Sequence, residues 1–242
     1  MTRMTGHTDG LRVKIFADGA NVAEMVELAH NPIISGFTTN PTLMRKAGID
    51  DYGRFVKELT TTITDRPISF EVISDDFAEM ERQALALRDF GENVYVKIPV
   101  TDTTGRTSVP LMRRLAAAGV SVNATALMTL AQVREVASAL AAGPPAVISV
   151  FAGRIADAGV DPVPVMEAAK QELRAHANLE LLWASPREVL NVVQADRIGC
   201  DIITLTSDLL AKLALVGRDL DDFSLATVRM FRDDAIAAGY EF

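Results

Sequence analysis

Short apolar runs alternate with longer amphipathic segments along nearly the whole chain, and this alternation constrains the fold more than any other feature. The strand-like runs are Lys14–Asp18, Ile34–Thr38, Ile68–Val72, Val94–Ile98, Val120–Ala124, Val147–Phe151, Leu179–Trp183 and Ile202–Leu205. Helical periodicity fills the intervals at Val22–His30, Thr42–Thr62, Asp76–Phe90, Ser108–Ala118, Thr129–Ala141, Pro164–Ala177 and Pro186–Ile198. Two further helical segments, Ser207–Leu215 and Ser224–Ala238, follow the last run. Strands that alternate with helices pair in parallel, with the helices as crossovers. Eight such units in 242 residues fit an α/β chain closed into a (β/α)8 barrel with an additional C-terminal helix. A doubly wound open sheet is the alternative, but the turn after the first run, Asp18-Gly19-Ala20-Asn21, lacks the G-x-G-x-x-G of a dinucleotide site. The expected organisation is an arm over residues 1–12 and a single barrel domain over 13–242.

Composition excludes several function classes. No apolar stretch is long enough to span a membrane. The polar start, with Arg3 and His7, lacks a signal-peptide core, so a cytoplasmic location is expected. A net charge of −8 argues against a nucleic-acid partner but not against an anionic ligand gripped by a few arginines. The one cysteine, Cys200, rules out an internal disulfide and reads as a buried, inert thiol. No metal-ligand or P-loop spacing occurs, so neither metal nor cofactor is expected. His7, His30 and His176 receive no role, and Asp75-Asp76 reads as a helix cap instead of a metal site.

In such barrels chemistry sits at the C-terminal strand ends. There this chain carries Asp18, then Thr38 to Pro41, Ser69 with Glu71, Lys97, Asn123 with Thr125, Ser149 with Phe151 and Arg154, Ser185 with Arg187, and Thr204 with Thr206. Lys97 is the most informative, being one of only six lysines and lying in an otherwise apolar run. Side chains alternate along a strand, so Val96 and Ile98 face the helices and Lys97 faces the interior. A desolvated amine is a nucleophile toward carbonyls. A structural lysine paired with Glu71 or Asp18 would satisfy the same pattern. The two carboxylates suit proton transfer, or simple neutralisation of Lys97. Arg154 and Arg187, with Ser149 and Ser185, form a candidate anion site, and a helix starting near Pro186 would add its first amide groups.

These residues resemble a known family. Gly36-Phe37-Thr38-Thr39-Asn40-Pro41-Thr42-Leu43 resembles the transaldolase signature, and Val96-Lys97-Ile98-Pro99 resembles that family's Schiff-base strand. Val122 to Leu127, Ser149 to Ile155 and Ala184 to Arg187 follow in the family's order, so the likeness covers about residues 13–215. It is to the short branch, which also holds fructose-6-phosphate aldolase. The resemblance implies a class I, Schiff-base transferase of the pentose phosphate pathway that moves a dihydroxyacetone unit between sugar phosphates. Lys97 would form the imine, Asp18 would help cleave the C3–C4 bond, and Glu71 and Thr125 would hold the catalytic water. Asn40 and Asn123, with Thr38 and Ser149, would bind the dihydroxyacetone part; Arg154, Ser185 and Arg187 would bind the phosphate. The aldolase branch resembles Ala-Gln-Val where this chain has Phe70-Glu71-Val72, and carries a tyrosine at the position of Phe151; both differences favour the transferase over a lyase that releases dihydroxyacetone. The branch forms pentamer-based decamers, so a homo-oligomer, pentamer or decamer, is expected. The apolar face of the last helix, with Leu225, Val228, Phe231 and Ala235, gives that expectation an independent motive.

Overall fold

The computed structural model describes residues 10–240. Eight parallel strands close a barrel in sequence order: β1 (Lys14–Asp18), β2 (Ile34–Thr38), β3 (Ile68–Glu71), β4 (Val94–Pro99), β5 (Val122–Leu127), β6 (Ala146–Val150), β7 (Leu179–Trp183) and β8 (Ile202–Thr206). The ring is completed by β1 pairing with β8, Asp18 opposite Thr206. The crossovers are α1 (Val22–Ala29), α2 (Pro41–Lys46), α3 (Tyr52–Thr62), α4 (Phe77–Arg88), α5 (Val109–Ala117), α6 (Leu130–Leu140), α7 (Ala152–Asp157), α8 (Val163–Leu173) and α9 (Leu190–Arg197). The barrel, Leu11–Leu210, is one compact unit, and the chain from Ala211 belongs to a second. Helix α10 (Ser207–Lys212) lies at that boundary and α11 (Leu220–Ala237) follows it. Residues 1–9 of the expected arm lie outside the described residues; Arg12 and Val13 donate their amides to the Asp196 carboxylate.

All eight expected strands form, and the differences are local. The segment expected as one helix over Thr42–Thr62 is two, because Gly48, at φ +71°, ends α2 and Asp51 caps α3 through the Arg54 amide. Helix α9 begins at Leu190 instead of Pro186. Ser185 takes φ +57°, and the Asn191 side chain accepts the Arg187 and Glu188 amides, the groups that a helix starting at Pro186 would have left open to an anion. No helix was expected at Ala152–Asp157; α7 starts directly after β6, with Phe151 at its cap. Strand β5 runs on to Leu127 through a bulge at Ala126, whose φ is +63°.

Inside the barrel, Phe16, Val147, Leu182, Ala184 and Ile202 form a buried apolar cluster, with Tyr95 and Phe151 packed against it. Gly36, opposite Phe16 on β2, leaves room for that ring: a Cβ there would lie 2.5 Å from it. Two residues further along the same strands, on the same face, come Asp18 after Phe16, Lys97 after Tyr95, Ser149 after Val147 and Thr204 after Ile202. Strand alternation thus lays a polar layer over an apolar floor, toward the C-terminal mouth.

Helix α11, taken by itself, has no buried residue; Leu225, Val228 and Phe231 are 48%, 61% and 64% exposed. Among the described residues no helix is long and apolar enough to cross a membrane.

Candidate active site

A cavity of about 540 Å³ opens above this floor, and the twelve residues assigned a catalytic or binding role from sequence all line it; of the other strand-end residues, Thr39 and Ser69 do not. At its base Lys97, 9% exposed in its side chain, donates from Nζ to the Thr39 carbonyl at 2.5 Å and to Glu71 Oε2 at 3.2 Å. An ammonium has three donors, so one N–H stays uncommitted. Parallel register sets the grouping: Glu71 pairs with Lys97 across β3–β4, and Lys97 with Asn123 across β4–β5. The Tyr52 hydroxyl, on α3, donates to the Glu71 carbonyl at 2.7 Å and so fixes the end of β3.

Asp18 accepts from the Thr38 hydroxyl at 2.8 Å and from Asn40 Nδ2 at 3.3 Å. Thr38 in turn lies 2.6 Å from Thr204 Oγ1, and since the Thr38 proton goes to Asp18, Thr204 is the donor. Burial raises the Asp18 carboxyl above its ordinary value of 3.8, while nearby Lys97 pulls it down. Asn40 serves two ends: its oxygen caps α2 by accepting the Leu43 amide, while its amino group donates to Asp18 with one N–H and keeps the other for a ligand. Asn123 donates to Ser69 Oγ at 3.0 Å and accepts from Ser149 Oγ at 2.7 Å. Thr125 Oγ1, beside these groups, is buried and makes no hydrogen bond among the described residues. Such an orphan hydroxyl needs a partner from solvent or ligand.

The far end of the cavity is cationic. Arg154 of α7 has no ion pair among the described residues, whereas Arg187 grips both oxygens of Asp157 and donates from Nη1 to the Ser185 carbonyl at 2.9 Å. The helix terminus expected to add amides here is absent, as α9 starts four residues later than expected. Sequence reasoning placed Thr204 at a strand end but gave it no role, and it passed over Asp157 and Tyr52; neither stands in the strand-end pattern. Two structural expectations hold: Asp76 caps α4 through the Ala78 and Glu79 amides, and burial pushes the Cys200 thiol up to about 12. Among the described residues no group of three or more His, Cys, Asp or Glu side chains could hold a metal ion.

The profile of the Transaldolase/Fructose-6-phosphate aldolase family matches residues 15–239. The chain belongs to that family. Relatives named "Probable transaldolase" include one from a Thermoanaerobacter species, 35% identical over 228 residues that cover 94% of this chain and 99% of the relative. Another, from Methanococcus maripaludis, is 34% identical over 202 residues, 83% of this chain and 89% of the relative. Among solved structures, KGPDC from Streptococcus mutans superposes with a TM-score of 0.56 at 8% identity, covering 81% of this chain and 88% of that one, a likeness of fold alone. Membership of the transaldolase/fructose-6-phosphate aldolase family makes this an enzyme of the transferase/aldolase kind.

Proposed function

We propose that the protein is a class I transaldolase that transfers a dihydroxyacetone unit between sugar phosphates through a Lys97 imine, as in the pentose phosphate pathway. The observation that carries this reading is a nearly buried lysine amine in a cavity with two carboxylates and an unpartnered hydroxyl. The Lys97 amine adds to the donor ketone, and loss of water gives the imine. Asp18 takes the proton of the C4 hydroxyl as the C3–C4 bond breaks, so the electron pair of that bond flows into the imine and leaves an enamine. The aldose phosphate departs, an acceptor aldehyde enters, and the steps run in reverse. Water is held between Glu71 and Thr125, where a carboxylate can pass protons as an amide cannot.

Arg154, Arg187 and Ser185, which line the same cavity as the amine, bind the phosphate. Asn123, Ser149, Thr38 and the Asn40 amino group address the hydroxyls of the transferred unit, and Phe151 closes one wall. With Phe151 instead of a phenol, the site has one proton donor fewer near the enamine carbon, which favours transfer over release of dihydroxyacetone. No cofactor enters the scheme. The functional form is a homo-oligomer, a pentamer or decamer, with α11 in its interface.

The test is a product assay with fructose 6-phosphate, with and without erythrose 4-phosphate, run beside borohydride trapping. Acceptor-dependent turnover and an adduct mapped to Lys97 are expected. Release of dihydroxyacetone faster than transfer would make the enzyme a lyase instead; an adduct on another lysine, or none, would end the imine scheme.

A further inference from the structure

Asp157 does not line the cavity, yet both of its oxygens are engaged by Arg187, which does. A guanidinium carries five N–H groups. Here Nε and one Nη2 hydrogen go to Asp157, and one Nη1 hydrogen goes to the Ser185 carbonyl. Two N–H groups remain, one on each terminal nitrogen, which is what a bidentate grip on phosphate requires. The main chain of Arg187 is held as well, its amide donating to Asn191 Oδ1 at 2.8 Å.

The loops that carry these residues are in direct contact. Gly153 of α7 donates its amide to the Ala184 carbonyl at 3.3 Å, and its Cα lies so close to Ser185 that a Cβ would fall 1.5 Å from the Ser185 oxygen. Ser185 itself sits at φ +57°, in the left-handed region that a serine seldom occupies.

From this geometry, and resting on the sugar-phosphate reading above, we propose that Asp157 is a positioning residue. It clasps α7 to the β7–α9 loop and holds Arg187 in the pose that receives the substrate phosphate.

Two effects of the carboxylate oppose each other. Its charge repels an incoming phosphate, while its hydrogen bonds hold the arginine in place. The Asp157 and Arg187 side chains are 45% and 42% exposed, so solvent screens the repulsion. The charge of Arg154, which acts on Asp157 as well, offsets it further. An arginine released from its clasp has many rotamers, and binding would then have to order it. The holding effect therefore wins.

The experiment compares Asp157→Asn with the unaltered enzyme, using fructose 6-phosphate and unphosphorylated fructose as donors. Binding of inorganic phosphate is measured calorimetrically in the same proteins. The asparagine keeps the shape but turns an N–H toward the guanidinium. Expected are a rise of about tenfold in KM for fructose 6-phosphate, kcat within about twofold, and no change with fructose. Phosphate affinity should fall by a similar factor, and Asp157→Glu, which keeps the charge but not the reach, should behave like the asparagine variant. A lower KM or tighter phosphate binding in Asp157→Asn would mean that repulsion wins, and would overturn the proposal. So would equal losses with both donors, or no change. Phosphate binding does not involve Lys97, so a protein that fails in sugar transfer yet loses phosphate affinity on substitution retires the transaldolase reading and keeps the clasp.

Discussion

Replacing Gly153 with alanine puts two effects in opposition on one methyl group. Gly153 lies in a helix and not at a positive φ, so intrinsic propensity favours alanine by about 0.8–1 kcal/mol. Against that stands the contact with the next loop. The added Cβ would meet the Ser185 oxygen at 1.5 Å where at least 3.0 Å is needed, so the carbonyl must withdraw by about 1.5 Å, the difference of the two. The obstacle is main chain, which cannot step aside as a side-chain tip would, and overpacking of this kind costs about 1–3 kcal/mol. The steric effect is the larger over most of that range, and the net loss is about 0–2 kcal/mol, or up to roughly 8 °C in Tm for a chain of this size.

The functional loss should be larger. The displaced carbonyl is the one that holds Arg187 Nη1, and the Arg187 Cζ would itself be only 3.3 Å from the new methyl. A shift of about 1 Å at a positioning group can cost 10²-fold, so kcat/KM for a phosphorylated donor should fall by about that factor. Lys97 trapping with a high concentration of dihydroxyacetone should persist, since the amine is on another strand. Gly53→Ala is the matched control: it too is helical, but its Cβ would meet only Asp51 Oδ1 at 3.7 Å, and it should leave Tm and rate unchanged or slightly improved. The reasoning fails if Gly153→Ala melts with the unaltered protein and keeps kcat/KM within about twofold.

Two further outcomes follow from the site and from α11. Because burial raises the Asp18 carboxyl, its protonated form persists above pH 3.8, and the base is lost as pH falls through the raised value; the acid limb of log kcat/KM should therefore lie above pH 3.8, and a limb at or below it would contradict the assignment. The same sign means that Asp18 stabilises the fold fully only below 3.8 and less as pH rises through its folded value, a cost of burying charge that is balanced here by function. Light scattering should give a mass several times 26.1 kDa, and a monomer would leave the exposed Leu225, Val228 and Phe231 unexplained.

What could be read from the chain beforehand was what depends on local period. Lys97 between Val96 and Ile98 announces its own orientation, because two-residue alternation is a property of any strand. Asp18, Glu71, Asn123 and Ser149 were legible by another local rule, their place at the C-terminal ends of strand-like runs. What escaped depends on backbone angles and on meetings between distant segments. Ser185 at φ +57° delays α9, although Pro186 is a sound first-turn residue by itself. Helix α7, at six residues, is too short to show a helical period. Thr204 stood in view at a strand end, but its link to Asp18 runs through Thr38 across the β1–β8 seam and has no trace in sequence spacing.

This contrast says how the two ends of the cavity are built. The amine end stands on strands over a packed apolar floor, so its geometry is enforced by barrel closure and by hydrogen bonds among buried groups such as Ser149, Asn123 and Ser69. The phosphate end stands on a short helix and a loop. Its order comes from the Gly153 contact, the Asp157 ion pair, the Ser185 carbonyl and the Asn191 side chain that accepts the Arg187 and Glu188 amides. Bond cleavage tolerates little misplacement, and the rigid end meets that demand. Phosphate recognition tolerates more, because it rests on two arginines, of which Arg187 is held and Arg154 makes no ion pair among the described residues. Substitutions at the amine end should therefore act on kcat, and those in the clasp on KM, within one continuous cavity.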